Sequence, residues 1–128
     1  MAGLVLLDAS ALLVLLNEEK GADLVHGVLR SAAISTVNLA EVSSKLHESG
    51  MDSEEVAAVL DLGLERVPFD AEMAEVAGSF RPSTRRLGLS LGDRCCLATG
   101  WVERLRILTA DRRWSDLDIA GITIECVR

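Results

Sequence analysis

The stretch LVLLDASALLVLL, residues 4–16, decides the fold because it places one carboxylate, Asp8, among aliphatic side chains. An unpaired charge in apolar surroundings is strongly unfavourable, or the pKa of the acid shifts until the group is neutral. We therefore expect Asp8 at a junction between two elements, where the edge of a sheet meets solvent. Residues 3–7 predict a buried strand, and the next helix is predicted to be capped by Ser10 and to run to about Glu19.

The rest of the chain alternates short apolar segments with helical patterns. Further strands are predicted at 32–36, 65–69, 106–110 and 121–127. Helices are predicted at 22–30, 37–50, 52–64, 70–80 and 90–105, a polar loop at 81–88, and a turn or short helix at 111–118. Because the early strands are continuously apolar, this alternation indicates a three-layer α/β/α fold with a mainly parallel central sheet, as one domain over residues 1–128.

The composition excludes several classes of protein. Hydrophobic residues make up 49% of the chain and aromatic residues only 3%, which predicts an aliphatic core rather than an aromatic-rich β-sandwich. The longest apolar run is interrupted by Asp8 and ends at Asn17, too short for a membrane span, and no basic segment precedes it as in a secretory signal. Three cysteines without a CxxC pair fit free thiols in a reducing compartment, and two histidines give no zinc spacing. We therefore expect a cytoplasmic protein.

The distribution of charge is uneven along the chain. The net charge is −7, yet residues 81–113 hold eight basic and three acidic residues, so this segment carries +5 and the remainder −12. Solvated helix faces are one interpretation of this segment. The other is a basic rim that holds a polyanion.

Four acids occupy corresponding places in the predicted elements. Asp8 and Asp111 directly follow predicted strands. Glu41 and Asp93 are predicted in the first turns of helices that begin after the second strand and at Ser90. Since functional sites of parallel sheets form beyond the carboxyl ends of the strands, we expect all four carboxylates to crowd toward one edge.

Each acid also has a purely structural interpretation. Segments 38–41 and 90–93 have the spacing of capping boxes, and Asp8 and Asp111 suit turns. Against this, the helix from Ser90 is apolar on nearly all sides, so Asp93 needs a partner. The only cations beside these acids in sequence are immediate neighbours, which do not face them on a helix.

Unpaired acids that converge repel one another, and a hard divalent cation resolves that repulsion. Mg²⁺ or Mn²⁺ accepts oxygen ligands, retains several waters and requires few carboxylates. Such a site supports hydrolysis of a phosphodiester without a histidine or a nucleophilic serine or cysteine.

These residues resemble a known family. The segments LLDASALLVLL, STVNLAEV, LSLGDRCCLATG and ILTADRRW are similar, in order and spacing, to the four acidic motifs of PIN-domain ribonucleases. The resemblance is greatest to VapC-type toxins of toxin–antitoxin pairs and extends over essentially the whole chain. It implies a Mg²⁺- or Mn²⁺-dependent endoribonuclease, a homodimer, and a cognate VapB-type antitoxin that blocks the acidic site.

The resemblance also assigns roles to residues. It implies that Asp8, Glu41, Asp93 and Asp111 are the catalytic and metal-binding acids. Thr109 corresponds to a hydroxyl that the family often carries, and Ser10 to a small polar residue, although Ser10 equally suits a helix N-cap. Asp116 is either an auxiliary acid or an ordinary surface acid. Contacts to RNA are expected from the basic residues Arg81, Arg85, Arg86, Arg112 and Arg113.

Three other hypotheses remain. A haloacid-dehalogenase-like phosphatase would use Asp8 as nucleophile, but that chemistry needs a second aspartate where Ser10 stands and an acid where Leu97 stands. A receiver domain would need an acid pair at the first strand and a lysine after a late strand. A non-catalytic interaction module of PIN-like fold is the third hypothesis, and the four intact acids argue against it.

Overall fold

The computed structural model describes residues 3–128, which form a five-stranded sheet with every neighbouring pair of strands parallel. The strands are β1 (Val5–Leu7), β2 (Ala32–Ser35), β3 (Glu65–Val67), β4 (Arg106–Thr109) and β5 (Ile124–Cys126). Their spatial order is β3-β2-β1-β4-β5, with β3 and β5 at the two margins. The parallel sheet predicted from the alternation of elements is confirmed.

The strand order identifies where a site belongs. From β1 the chain proceeds through β2 to β3 on one side, and then returns to place β4 and β5 on the other side. The direction of winding therefore reverses between β1 and β4, where Leu7 pairs with Leu108. In open parallel sheets the crevice at such a reversal, outside the carboxyl ends of the strands, binds ligands.

Helices cover both faces of the sheet. The α-helices are α1 (Ala9–Leu16), α2 (Ala22–Val28), α3 (Thr36–Glu48), α4 (Ser53–Val59), α5 (Ala71–Ser79), α6 (Arg81–Thr84) and α7 (Leu91–Glu103). Short 3-10 helices occupy Leu29–Ser31 and Arg112–Asp116.

Alternate residues of the central strand serve the two faces. Leu6 packs in the core cluster that contains buried residues of α5 and α7, whereas Val5 and Leu7 pack with buried residues of α1 and α2. Gly100 lets α7 approach the sheet, since a Cβ there would lie 2.7 Å from Cδ1 of Ile107. The three-layer α/β/α arrangement is therefore confirmed.

The start of α1 corrects the predicted cap. Asp8, not Ser10, is the N-cap, and its carboxylate accepts a hydrogen bond from the Ala11 amide at 2.8 Å. The helix also ends at Leu16, earlier than the predicted Glu19. Asp8 caps the helix because it stands directly after the strand, where its short side chain reaches back to the first turn.

Two further predictions of local structure are wrong. Residues 81–88 are not entirely loop, because Arg81–Thr84 form α6, whose first turn accommodates Pro82. Helix α3 is capped by Ser35 and begins at Thr36, so Asn38 is no cap and Glu41 lies in the second turn rather than the first. The predicted box at Ser90 and Asp93 is present.

Cys95 and Cys96 are buried, and all three cysteines are free thiols as expected. No helix within residues 3–128 has both the length and the hydropathy needed to cross a bilayer.

Candidate metal centre

Asp8 stands at the end of β1 and is almost completely enclosed, with 3% of its surface exposed. Its Oδ1 accepts from the Ala11 amide at 2.8 Å, and its Oδ2 accepts from Thr109 Oγ1 at 2.6 Å. The hydroxyl of Ser10 lies 2.7 Å from Oδ1 and 2.9 Å from Oδ2. The carboxylate is therefore fixed by three neighbours from two elements.

Burial raises the pKa of Asp8 from its ordinary value of 3.8 to about 6. Hydrogen bonds from Thr109, Ala11 and Ser10 oppose this rise, and the negative charge of Asp93 adds to it. Desolvation thus outweighs three donors, because no cation is paired with this carboxylate within residues 3–128. Near neutral pH the group is charged, buried and short of positive charge.

The residues that hold Asp8 also join β4 to α1. Thr109 Oγ1 accepts from the Asp111 amide at 3.0 Å while it donates to Asp8. Ser10 Oγ accepts from the Ala110 amide at 2.9 Å. The hydroxyls of Ser10 and Thr109 therefore fix the ends of β1 and β4 relative to each other at the topological reversal.

Asp111 has a different environment from Asp8. Its carboxylate caps the 3-10 helix by accepting from the Arg113 amide at 3.0 Å, and it forms an ion pair with Arg113 Nη2 at 2.6 Å. These bonds hold the pKa of Asp111 below its ordinary value. The expectation that no cation near this acid in sequence faces it is wrong, because Arg113 pairs with it. The Asp-x-Arg spacing at a helix cap was the available signal.

Glu41 reaches the centre from α3 and lies against the first turn of α7. Asn38, which is 1% exposed, donates through Nδ2 to Glu41 Oε1 at 2.7 Å and to the Gly92 carbonyl at 3.1 Å. A Cβ at position 92 would lie 2.5 Å from Cδ of Glu41, so a larger residue there would require this carboxylate to move. Asn38 therefore sets the position of Glu41 beside Asp93, a role that its interpretation as a cap had hidden.

Asp93 follows Gly92 and completes the group. Its Oδ2 accepts from the Ser90 amide at 2.9 Å, as the capping interpretation predicted. The pKa of the Cys96 thiol is raised well above its ordinary value by burial and then by the charges of Asp8, Asp93 and Glu41. The charges of these three carboxylates therefore act on one buried thiol, while Asp111 is connected to Asp8 only through its backbone amide, which donates to Thr109 Oγ1.

The acids do not form a ready-made cage. Across residues 3–128, no three carboxylate, imidazole or thiol groups already stand at distances suited to a shared ion. Local bonds to Ser90, Asn38 and Arg113 hold three of the four acids separately. The set nevertheless fits Mg²⁺ or Mn²⁺, because it offers only oxygen donors and Mg²⁺ uses one or two carboxylates while it keeps several waters.

The remaining predicted residues lie at the surface. Asp116 is exposed on the 3-10 helix. The five arginines proposed for RNA are also exposed: Arg81, Arg85, Arg86, Arg112 and Arg113. Arg113 donates to the Leu87 carbonyl at 2.9 Å, so its guanidinium lies beside the segment that carries Arg85 and Arg86.

The sequence profile of the PIN domain matches residues 5–120. No curated protein sequence matches the chain. Three solved structures illustrate the likeness of fold. One is a chain from the structure of VapBC2 of Rickettsia felis bound to a DNA fragment from the VapBC2 promoter. It has 17% identity and a TM-score of 0.76 over 96% of this chain and 98% of its own. A chain from DNA-bound VapBC of Salmonella typhimurium has 22% identity and a TM-score of 0.74 over 98% of both chains. A chain from FitAcB of Neisseria gonorrhoeae has 20% identity and a TM-score of 0.65 over 94% and 96%.

Proposed function

The chain belongs to the PIN-domain family, and from this premise we propose that it is a metal-dependent endoribonuclease, the toxin of a toxin–antitoxin pair. The observation that carries the proposal is the environment of Asp8. This acid is buried at the topological reversal, and its pKa is raised to about 6 by burial and, to a smaller extent, by the charge of Asp93. A helix cap does not require a buried carboxylate with a raised pKa. In a cation site, the bound cation offsets the unfavourable free energy of burying that charge.

Asp8, Glu41, Asp93 and Asp111 are the groups that would hold Mg²⁺ or Mn²⁺. When bound there, a divalent cation polarises a phosphoryl oxygen and lowers the pKa of a coordinated water. The protein itself supplies rigidity. Ser10 and Thr109 fix Asp8, and hydrogen bonds from Asn38 and the Ser90 amide hold Glu41 and Asp93.

The exposed arginines supply affinity for the substrate. A phosphodiester backbone is drawn to positive charge, and the acidic centre is flanked by Arg112, Arg113 and the neighbouring Arg85 and Arg86. Arg113 also neutralises Asp111 in the free protein, which limits repulsion between this acid and an incoming phosphate. Asp116 is exposed on the same 3-10 helix and is retained only as an auxiliary acid.

The proposed partner is a VapB-type antitoxin. Support comes from the structures of similar fold, which are VapBC and FitAcB assemblies. On the same family resemblance we include a homodimer, a cytoplasmic location and one nuclease domain over residues 1–128 in the proposal. Growth arrest on expression of the chain alone, relieved by an Asp8→Asn substitution, tests the toxin role.

The test of the activity is cleavage of a labelled single-stranded RNA with Mg²⁺ or with EDTA. Asp8→Asn and Asp93→Asn are expected to lower the rate by about 10³-fold, because loss of a cation removes several kcal/mol of transition-state stabilisation. Asp61→Asn is the matched control, since Asp61 is exposed and precedes β3. It therefore lies at the amino ends of the strands, whereas Asp8 lies at the carboxyl ends. Equal cleavage by the Asp8 and Asp61 variants would contradict the proposal. A folded parent chain that cuts no RNA would favour a non-catalytic module.

A further inference from the structure

A basic cavity opens directly beside the candidate metal centre. It has a volume of about 680 Å³ and is lined by Ser10, Lys20, Ala110, Asp111, Arg112 and Arg128. Three of these six residues are cations, although the whole chain carries a net charge of −7. We refer to it as the Lys20 cavity.

The charge in the Lys20 cavity is more positive than its composition indicates. Its one acid, Asp111, is already paired with Arg113 at 2.6 Å. Arg128 is anchored by Nε, which donates to the Ala110 carbonyl at 3.1 Å, and its Nη1 lies 3.8 Å from Glu19 Oε1. Because the Glu19 pair is long and both side chains are about half exposed, it neutralises little of the Arg128 charge.

The Lys20 cavity is connected to the acids through one side chain. Ser10 lines the cavity and its hydroxyl lies 2.7 Å from Asp8 Oδ1. A second cavity of about 430 Å³ shares Ser10, Ala110 and Arg128 with the first and extends to Lys45, although Glu19 and several apolar side chains also line it. The two adjoining cavities form a track that leads away from Asp8.

Lys20 and Arg128 lie on a different flank of the acids from Arg113, whereas Arg112 lines the Lys20 cavity itself. Arg113 contacts the segment before α7, at Leu87, whereas Arg128 contacts Ala110 and approaches Glu19 behind α1. A strand that crosses the acids would therefore meet cations before and after the reacting phosphate. A single small anion needs only one of these flanks, and a polymer uses both.

We propose that the Lys20 cavity binds a phosphodiester of the RNA strand adjacent to the one that is cleaved. This proposal rests on the proposed ribonuclease function. Lys20 and Arg128 supply the charge, and Ser10 connects the bound backbone to the position of Asp8. The ligand is defined by its chemistry, a chain of phosphodiesters at consecutive nucleotides.

The test measures binding of a labelled single-stranded RNA to the full chain that carries Asp93→Asn, so that cleavage does not intervene. Lys20→Gln, Arg128→Gln and Arg30→Gln are added one at a time and affinity is followed against KCl concentration. On single strands each phosphate contact contributes about 0.7 to the salt slope, so the loss of one contact costs about fivefold at roughly 0.1 M salt. We expect this loss and the shallower slope for Lys20→Gln and Arg128→Gln.

Arg30→Gln is the matched control because Arg30 is exposed in the 3-10 helix that precedes β2. It therefore lies at the amino ends of the strands, whereas the acids lie at the carboxyl ends. Arg128→Lys keeps the charge and removes the Nε donor, so it is expected to retain most of the affinity. Lys20 makes no hydrogen bond within residues 3–128, so its substitution is not expected to disturb folding. Affinities and slopes equal to those of Arg30→Gln would overturn the proposal.

Three further outcomes are distinguishable. If the parent binds no RNA, the proposed function and this inference both fail. If the parent cleaves RNA through Asp8 while Lys20→Gln and Arg128→Gln bind like the control, only this inference fails. If the two variants lose binding of hexaglutamate but keep full affinity for RNA, the cavity serves an acidic peptide and the proposal is overturned.

Discussion

The ends of β1 and β4 lie side by side, yet their aspartates are stabilised in opposite ways. Asp8 after β1 is enclosed, has no cation partner within residues 3–128, and its pKa is raised to about 6. Asp111 after β4 is partly exposed, is paired with Arg113, and its pKa is lowered. The comparison shows that one edge of one sheet combines an acid that opposes folding when charged with one that favours it.

The difference in pairing determines which of the two aspartates is available to a cation. Asp111 is already satisfied by the protein, so its ion pair must be exchanged if it is to contact a cation. Asp8 is satisfied only in part, so an added cation would stabilise the folded state and the site together. The main unfavourable electrostatic energy of the centre therefore lies at Asp8.

The largest expected effect is on the pH dependence of stability. Between pH 4 and pH 6 the folded chain retains a proton on Asp8 that the unfolded chain has released, so stability falls as the pH rises. A pKa of about 6 against an ordinary value of 3.8 corresponds to about 3 kcal/mol, fully lost above pH 6. Asp111 acts in the opposite sense, because its lowered pKa contributes stability that disappears as the pH falls below its ordinary value.

Urea unfolding of the parent and of Asp8→Asn at pH 4.5 and pH 7 isolates the Asp8 contribution, since other groups cancel in the difference. The parent is expected to lose stability relative to the variant as the pH rises. If the free energies of unfolding of the parent and of Asp8→Asn change equally with pH, Asp8 does not have the raised pKa on which its contrast with Asp111 rests. Asp61→Asn serves as the control and is expected to follow the parent.

A smaller effect is expected when the support of Glu41 is removed. Asn38→Ala deletes the donor to Glu41 and to the Gly92 carbonyl, and residues that orient a metal ligand typically affect affinity or activity about 10- to 100-fold. Mn²⁺ affinity by calorimetry, together with RNA cleavage, measures the loss. Thr99→Val is a buried polar change in α7 that touches none of the acids, and it is expected to alter stability alone. An Asn38 variant with lowered stability but normal Mn²⁺ affinity would assign Asn38 a purely structural role.

The smallest effect is expected from Arg113→Gln, which sharpens the contrast at Asp111. Without its partner, Asp111 is expected to have a pKa closer to its ordinary value and to be more available to a cation. Exposed ion pairs are worth about 0.2–1 kcal/mol, so Mn²⁺ affinity measured without RNA should rise by at most about fivefold. Arg106→Gln breaks a comparable exposed pair with Glu125 at the start of β4 and should leave the affinity unchanged. A fall in Mn²⁺ affinity in Arg113→Gln would contradict the assigned competition.

Much of the fold was accessible from the sequence because its signals are local and consistent. The apolar strands, the cap at Ser90 and the alternation of elements are confirmed, and the order of the acids along the chain predicted a common edge. The missed features depend on competition between neighbours. Asp8 and Ser10 both suit the cap of α1, and only the reach of the Asp8 carboxylate to the Ala11 amide decides between them.

The finer geometry of the site required the structure. Spacing alone does not show that Asn38 bridges Glu41 and Gly92, because this contact joins residues 54 positions apart. Nor does it show that Arg113 reaches back to Asp111 rather than outward to solvent. The metal role of the four acids and the RNA role of the arginines remain predictions that the experiments above address.

Whether Asp8 belongs to a cation site is decided most directly by titration of its carboxyl carbon by NMR, with and without Mg²⁺. We predict a pKa near 6 in the free protein and a decrease of more than one unit when Mg²⁺ is saturating, because a nearby cation favours the charged form. A pKa near 3.8 in the free protein, or one near 6 that Mg²⁺ leaves unchanged, would contradict the claim that Asp8 is the centre of a cation site.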